Sequence, residues 1–437
     1  MEHSHDIEIT DQRFEFSPKQ KQFTFILIGL GIVLMLLGYF MLNSQTNSHG
    51  TTQHTEAAAS EHGGGHEAHG NPVYKRIWAN MLLGSYFVFL LAVGGMFFVA
   101  VKYAANAGWH VAFKRIPEAM STFIPIGAVL LLLIGGVWGV LGAHYYHWSI
   151  PGIMDTDKIL NGKKGFLNPA MYLVGLGVFF AIWTFVQRKL RTWSLQEDVE
   201  GDPLKPVFFD RSMAWSAFYL FFFAFTFSIT AWLVIMSIDA HWFSTIFSVY
   251  NFAVCWVSAI TTIYFILIYL KSLGYYKHVH DEHLHDLGKM MFAFSIFWTY
   301  IWISQYLLIW YANLPEEVVY YQARWSKHFM PYFTANLILN FICPFLILMT
   351  RNNKRYTSTV IVGGLCILVG KWVDLFLMIM PGTVGDTATM FHPLEIGTMM
   401  LFVGIFLYVV FSSLAKAPLT PLKHPYLKES LHHDVGV

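Results

Sequence analysis

Ten stretches of about 20 residues, nearly free of charge, run through this 437-residue chain. They fall at 23–42, 78–101, 118–143, 168–187, 213–237, 246–270, 286–311, 332–349, 357–380 and 393–415. Each matches the apolar thickness of a bilayer. Inside lipid every backbone N–H and C=O must find a partner, which leaves helices or closed barrels. Runs of this length exceed barrel strands and predict helices. The expected fold is therefore an all-α polytopic membrane protein with about ten transmembrane helices. Composition agrees. Only 13% of residues are charged, against about 25% in soluble domains, while 55% are hydrophobic and 17% aromatic. The net charge of +1 offers no broad basic field, so no nucleic-acid partner is expected.

An even number of spans places both termini on one side. Lys and Arg number 19 on that terminal side and 7 on the other, with Lys289 and Lys371 inside spans. The positive-inside rule then predicts cytoplasmic termini in a bacterial inner membrane. The acidic start (Asp6, Glu8, Asp11, Glu15) lacks the basic region and cleavage site of a signal peptide, so the first span reads as a retained helix.

Several chemistries are not expected. Cys255, Cys343 and Cys366 stand apart in apolar runs, with no C-x-x-C-H and no cluster spacing, and read as small buried hydrophobes. The histidines lie in tails, loops or span ends, not at the matched depths a bis-histidine haem needs. No Walker loop, nucleophile elbow or zincin motif occurs. The segment between the first two spans carries His49, His54, His62, His66 and His69. It reads as a metal-binding tract or as a flexible polar linker; nothing in it fixes a coordination geometry, and the linker reading is preferred.

Ionisable groups inside or beside spans are expensive and point to function. Asp239 and His241, in MSIDAHWFSTIF, sit at an outer turn. They suit proton exchange, or an interfacial turn with Asp239 as a helix cap and Trp242 in the aromatic belt. Lys371 and Asp374, in GKWVDLF, share a helix face about 21 Å from its inner end. They form a structural ion pair or a relay. His392 and Glu395 open the tenth span on the outer side; Glu118, His285, Asp286 and Lys289 lie at inner ends. Gln305 sits mid-membrane beside Ser304, bonding a neighbouring helix, a quinone carbonyl or a water file. The distribution suggests two half-channels with a polar middle.

The segments AGWHVAFKRIPEAM, GFLNPAMYLVGLGVFFAIW, MSIDAHWFSTIFSVY and HLHDLGKMMFAFSIFWTYIWISQYLLIWYANLPEE resemble the ActF family, as do RNNKRYTSTVIVGGLCILVGKWVDLFLMIMP and HPYLKESLHH. ActF is a membrane subunit of bacterial alternative complex III, a quinol:cytochrome c (or other high-potential acceptor) oxidoreductase, and is similar to ActC and the NrfD/PsrC group. The resemblance covers almost the whole chain and implies two four-helix bundles plus flanking helices. The organisation would be a cytoplasmic segment at 1–22, a first helix at 23–42 and a periplasmic linker at 43–77. Bundles would follow at 78–237 and 238–380, then an outer loop and tenth helix at 381–415 and a cytoplasmic tail at 416–437. It also implies a subunit without a redox cofactor of its own, supplying scaffold and a candidate proton path rather than catalysis alone. Its partners would be an ActC-like membrane subunit, iron–sulfur and multihaem cytochrome c subunits holding the clusters and c-type haems, a candidate terminal oxidase, and lipids. Asp239, His241, Lys371 and Asp374 occupy the matching motif positions. Quinol is a candidate ligand. The rival readings are a quinone-binding subunit proper and a secondary transporter.

Overall fold

A computed structural model describes residues 12–49, 72–142, 144–387 and 392–433. Most of the histidine-rich linker lies outside the described residues. Ten helices among those described are long and apolar enough to cross a membrane. They are α1 (Pro18–Ser44), α2 (Val73–Ala104), α3 (Arg115–Gly142), α4 (Met171–Glu200), α5 (Val207–Val234), α6 (Ile246–Ser272), α7 (Asp281–Ala312), α8 (Met330–Leu348), α9 (Thr357–Thr383) and α10 (Pro393–Leu414). The chain is an all-α polytopic membrane protein, and its apolar windows become these helices.

Local chemistry sets several boundaries. Ser17 caps α1: the Ser17 amide donates to Gln20 Oε1 at 2.9 Å while Pro18 occupies the first turn, where its missing N–H costs nothing. At α10 the His392 ring accepts from the Leu394 amide, again ahead of a first-turn proline. Asn313 ends α7 with φ +48°, a left-handed conformation that asparagine tolerates.

The spans are less regular than their unbroken hydropathy suggests. Stretches of π-helix occupy Leu132–Gly142 in α3, Met171–Gly175 in α4 and Ile338–Ile342 in α8. Two have visible causes. Pro344 has no N–H to offer the carbonyl of Asn340, four residues earlier, so the ladder widens there. In α3 the Tyr145 hydroxyl donates to the Ile134 carbonyl at 3.0 Å, competing with the helical ladder.

Helices α2, α3, α4 and α5 pack side to side in a closed ring, and α6, α7, α8 and α9 form a second. Both rings begin on the face away from the termini, so their helices alternate in the same directions rather than with inverted topology. They join where α2 crosses α6. Gly94 allows that approach: a Cβ there would lie 2.4 Å from Ala259 Cβ. Around the joint, Phe97 meets Phe252 and Trp256 edge-on at 4.9 Å each, burying large side chains in a geometry that suits their quadrupoles. Helix α10 lies against α2 and α3, and α1 packs on α10.

Candidate functional site

The second ring carries charge in its interior. Lys371 and Asp374, one helical turn apart on α9, are both wholly inaccessible to solvent. Counting along the helix, Asp374 lies roughly 26 Å from its terminal-side end and 14 Å from the other. Three helices converge on its carboxylate. Tyr250 of α6 donates its hydroxyl to Oδ1, Asn336 of α8 donates its amide to Oδ1 at 3.0 Å, and Trp298 of α7 donates its indole N–H to Oδ2 at 2.8 Å. Asn340 donates to Asn336 Oδ1 at 2.6 Å, so the π-helical turn in α8 holds two stacked amides at this depth.

Lys371 is not joined to Asp374 in a contact ion pair. Its ammonium makes no hydrogen bond and lies 3.5 Å from the centre of the Trp298 ring. Trp298 thus touches both groups, giving its N–H to the carboxylate and its π face to the cation. The shared helix face read from the i,i+3 spacing is present, but the link between the two charges passes through an indole.

Above Asp374, toward the face opposite the termini, the short helix Pro315–Arg324 folds inward. Arg324 is buried and donates to Asp239 Oδ2 at 2.9 Å. It also donates to the carbonyls of Leu377 at 2.8 Å and Met378 at 3.0 Å, at the end of α9. Its guanidinium lies 3.4 Å from the centre of the Tyr320 ring, and Tyr320 stacks on Trp242 at 4.0 Å. Trp242 is therefore interior rather than part of an aromatic belt, and Asp239 pairs with an arginine instead of capping α6. Burial opposes the charge of Arg324, but Tyr320 and Asp239 hold it above its ordinary value. A small cavity with room on the order of one water is lined by Tyr250, Tyr320, Arg324, Asn336 and Asp374. A string of polar groups thus leads from Asp239, whose side chain is one-quarter exposed, to the buried carboxylate.

His241 belongs elsewhere. Its Nε2 meets Asp157 Oδ2 at 2.6 Å. Asp157 also caps the helix Lys158–Gly162 by accepting from the amides of Ile159 and Leu160. The hydrogen bond from His241 holds the Asp157 carboxyl below its usual range. Asp239 and His241, two residues apart, serve different partners on different rings and do not form an exchanging pair.

The first ring has its charges at the terminal face. Glu118 receives Arg115 at 2.7 Å, Arg191 at 2.6 Å and the Ser194 hydroxyl at 2.6 Å. Arg115 also pairs with Asp198, and Lys114 lies 3.6 Å from both Glu118 and Glu197. Three cations and three carboxylates form one buried, balanced network.

The remaining candidates are scattered. Asp286 pairs with Lys289 at 2.5 Å and with His433 of the tail at 2.8 Å, at the start of α7. His285 is buried beside them and its Nδ1 has no partner. Glu395 accepts from Arg76 at 2.9 Å and Asn80 at 3.0 Å, tying α10 to α2, with His392 at 3.6 Å. Gln305 is buried with neither amide atom bonded.

Sequence reading missed Arg324, Tyr250, Trp298, Asn336 and Asn340. Only the asparagines carried a signal, two amides at i,i+4 in an apolar span. No protein-family model matches the chain, and no curated protein matches it. Fold and site together define an integral membrane protein, with ten candidate spans among the described residues and a buried carboxylate and amine reached by polar groups from one face. Such a site can hold a proton or an anionic charge within the bilayer and exchange it toward that face.

Proposed function

We propose that this chain is a membrane subunit of a respiratory quinol:cytochrome c, or other high-potential acceptor, oxidoreductase of the ActF type, and that it supplies scaffold and a proton path. The observation that carries the reading is Asp374, an ionisable group buried in the second ring and linked by Arg324 and a water-sized cavity to Asp239. The ActF-like motifs around Asp239, Lys371 and Asp374 supply the respiratory context. The 19-to-7 bias of Lys and Arg supports cytoplasmic termini in a bacterial inner membrane. The parallel direction of the two rings speaks against a transporter built on an inverted repeat.

In this reading Asp374 is the group that gains and loses the proton, and its three donors from three helices hold the carboxyl in place. Lys371 places its amine over the Trp298 ring rather than in a contact ion pair with Asp374. Asp239 and Arg324 form the outer gate. The electrons are carried by partners. An ActC-like subunit, iron–sulfur and multihaem cytochrome c subunits complete the assembly, and a terminal oxidase is a further candidate partner.

The test is Asp374→Asn in the intact complex reconstituted into liposomes. Proton release per quinol oxidised falls to the value set by quinol chemistry alone while the complex stays assembled. An unchanged stoichiometry in an intact complex overturns the proton path. Purification of the chain without any redox subunit overturns the wider reading.

A further inference from the structure

A cleft of about 680 Å³ opens to the membrane between the two rings and the α1–α10 pair. Phe23, Phe87, Phe265, Leu368 and Val403 contribute to its walls from five helices, and Lys19 and Gln20 lie at its mouth. The mouth is at the terminal face, because Lys19 and Gln20 stand in the first turn of α1. The cleft also reaches Met399, fifteen residues before the end of α10 at Leu414, or about 22 Å along the axis. One leaflet, headgroup included, is about 20–22 Å deep. The cleft therefore runs the depth of a single leaflet.

The chemistry changes along that depth. At the mouth, Gln20 donates its amide to the Tyr269 hydroxyl at 3.0 Å, and Lys19 and Lys21 outnumber the single acid Glu15 on the segment 14–21. Deeper, the walls are apolar apart from the Trp372 indole and Thr262, whose hydroxyl already donates to the Ser258 carbonyl at 2.8 Å. An alkyl chain suits such a wall; the Trp372 indole N–H, which has no partner, offers one donor at that depth, so a ring with two carbonyls would leave the second unmet.

We infer that this cleft is a binding site for one anionic phospholipid of the terminal-side leaflet, with an acyl chain between the rings and the phosphate at Lys19. The site is independent of the proton path, since none of Asp239, Arg324, Lys371 or Asp374 lines it.

The full-length protein, stripped of lipid in detergent, is titrated with dioleoyl phosphatidylglycerol or dioleoyl phosphatidylcholine and read by native mass spectrometry. One phosphatidylglycerol is expected to be retained with about fivefold higher occupancy than phosphatidylcholine. Lys19→Glu removes that preference, and Val403→Trp, which fills the cleft, reduces retention of both lipids. Equal retention of the two lipids by the unaltered protein overturns the inference without requiring any variant to fold. So does a preference that survives Lys19→Glu in a protein with an unaltered melting temperature. Displacement of phosphatidylglycerol by decylubiquinone reassigns the cleft to a quinone and equally overturns it.

Discussion

Much of the buried charge in this molecule is held by protein partners, and the cost of removing one partner follows from that. Glu118 stands between Arg115, Arg191 and Lys114. Replacing it with Gln leaves three buried cations facing two carboxylates, and loss of one partner from a buried pair costs about 3–5 kcal/mol. Glu118→Gln should therefore lower the thermal midpoint in detergent clearly. Lys164→Gln, which breaks an exposed pair with Asp155 at 3.0 Å, should leave that midpoint unchanged. The sequence exposes such residues unevenly. Lys371 and Asp374 stand out because hydropathy makes a charge in an apolar run conspicuous. Arg324 does not, because it lies in a polar connection where any arginine counts only toward topology. Its role arises when Pro315–Arg324 folds back over α9, a tertiary event with no local signature. Asp239 and His241 mislead for the complementary reason. Adjacency in sequence suggests a pair, yet each side chain answers to a partner more than 80 positions away.

The elements are attached with unequal strength. Helix α1 buries little of its apolar surface and is held chiefly by α10. Their contact depends on Gly397, where a Cβ would lie 2.7 Å from both the Gly31 carbonyl oxygen and the Met35 amide nitrogen. Gly397→Leu should separate the two helices, measured as loss of a cysteine cross-link engineered between them. Gly29→Leu should retain the cross-link, since nothing lies within 4 Å of a Cβ there. At the terminal face the tail docks through Ser430, whose hydroxyl donates to the Trp109 carbonyl at 2.7 Å and accepts from the Ala112 amide at 3.0 Å. Burial keeps His424 and His110 well below the usual imidazole range, with Lys114 adding to both. Lys102 also disfavours charge on His110, Arg115 disfavours it on His424, and Glu118 weakly favours it on His110. Because the undocked tail binds protons more readily than the docked one, docking is fully stable above about pH 6.5 and weakens as the pH falls below it. The protection factors of the amides at 424–433 should fall between pH 7.5 and 5.5, once exchange is corrected for the slower intrinsic rate at lower pH. The helices themselves were legible in the sequence, because length and hydropathy determine them. The three π-helical stretches were not: that in α8 depends on Pro344, that in α3 on a tyrosine from outside its span, and that in α4 has no local cause in the structure.

Across the whole molecule, ten spans and the Lys/Arg asymmetry predict that a fluorescent protein fused after Val437 will fold and fluoresce, whereas alkaline phosphatase at the same site will be inactive. The opposite pattern would invert the orientation. Packing partners were beyond reading from composition, because nothing in an apolar helix names its neighbour. The closed rings emerge only from the fit at places such as Gly94. The buried networks also sit at different depths, that around Glu118 in the first ring at the terminal face and that around Asp374 in the second nearer the other. That placement has an electrical consequence. Asp374 lies roughly one third of the way along α9 from the face opposite the termini. A unit charge gained or lost there from that side crosses about a third of the membrane voltage, or on the order of 0.8 kcal/mol for each 100 mV. On the proposed proton path the ionisation of this one carboxylate would be tied to the energised state of the membrane, with the apolar remainder of α9 as the dielectric across which the other two thirds of the voltage fall.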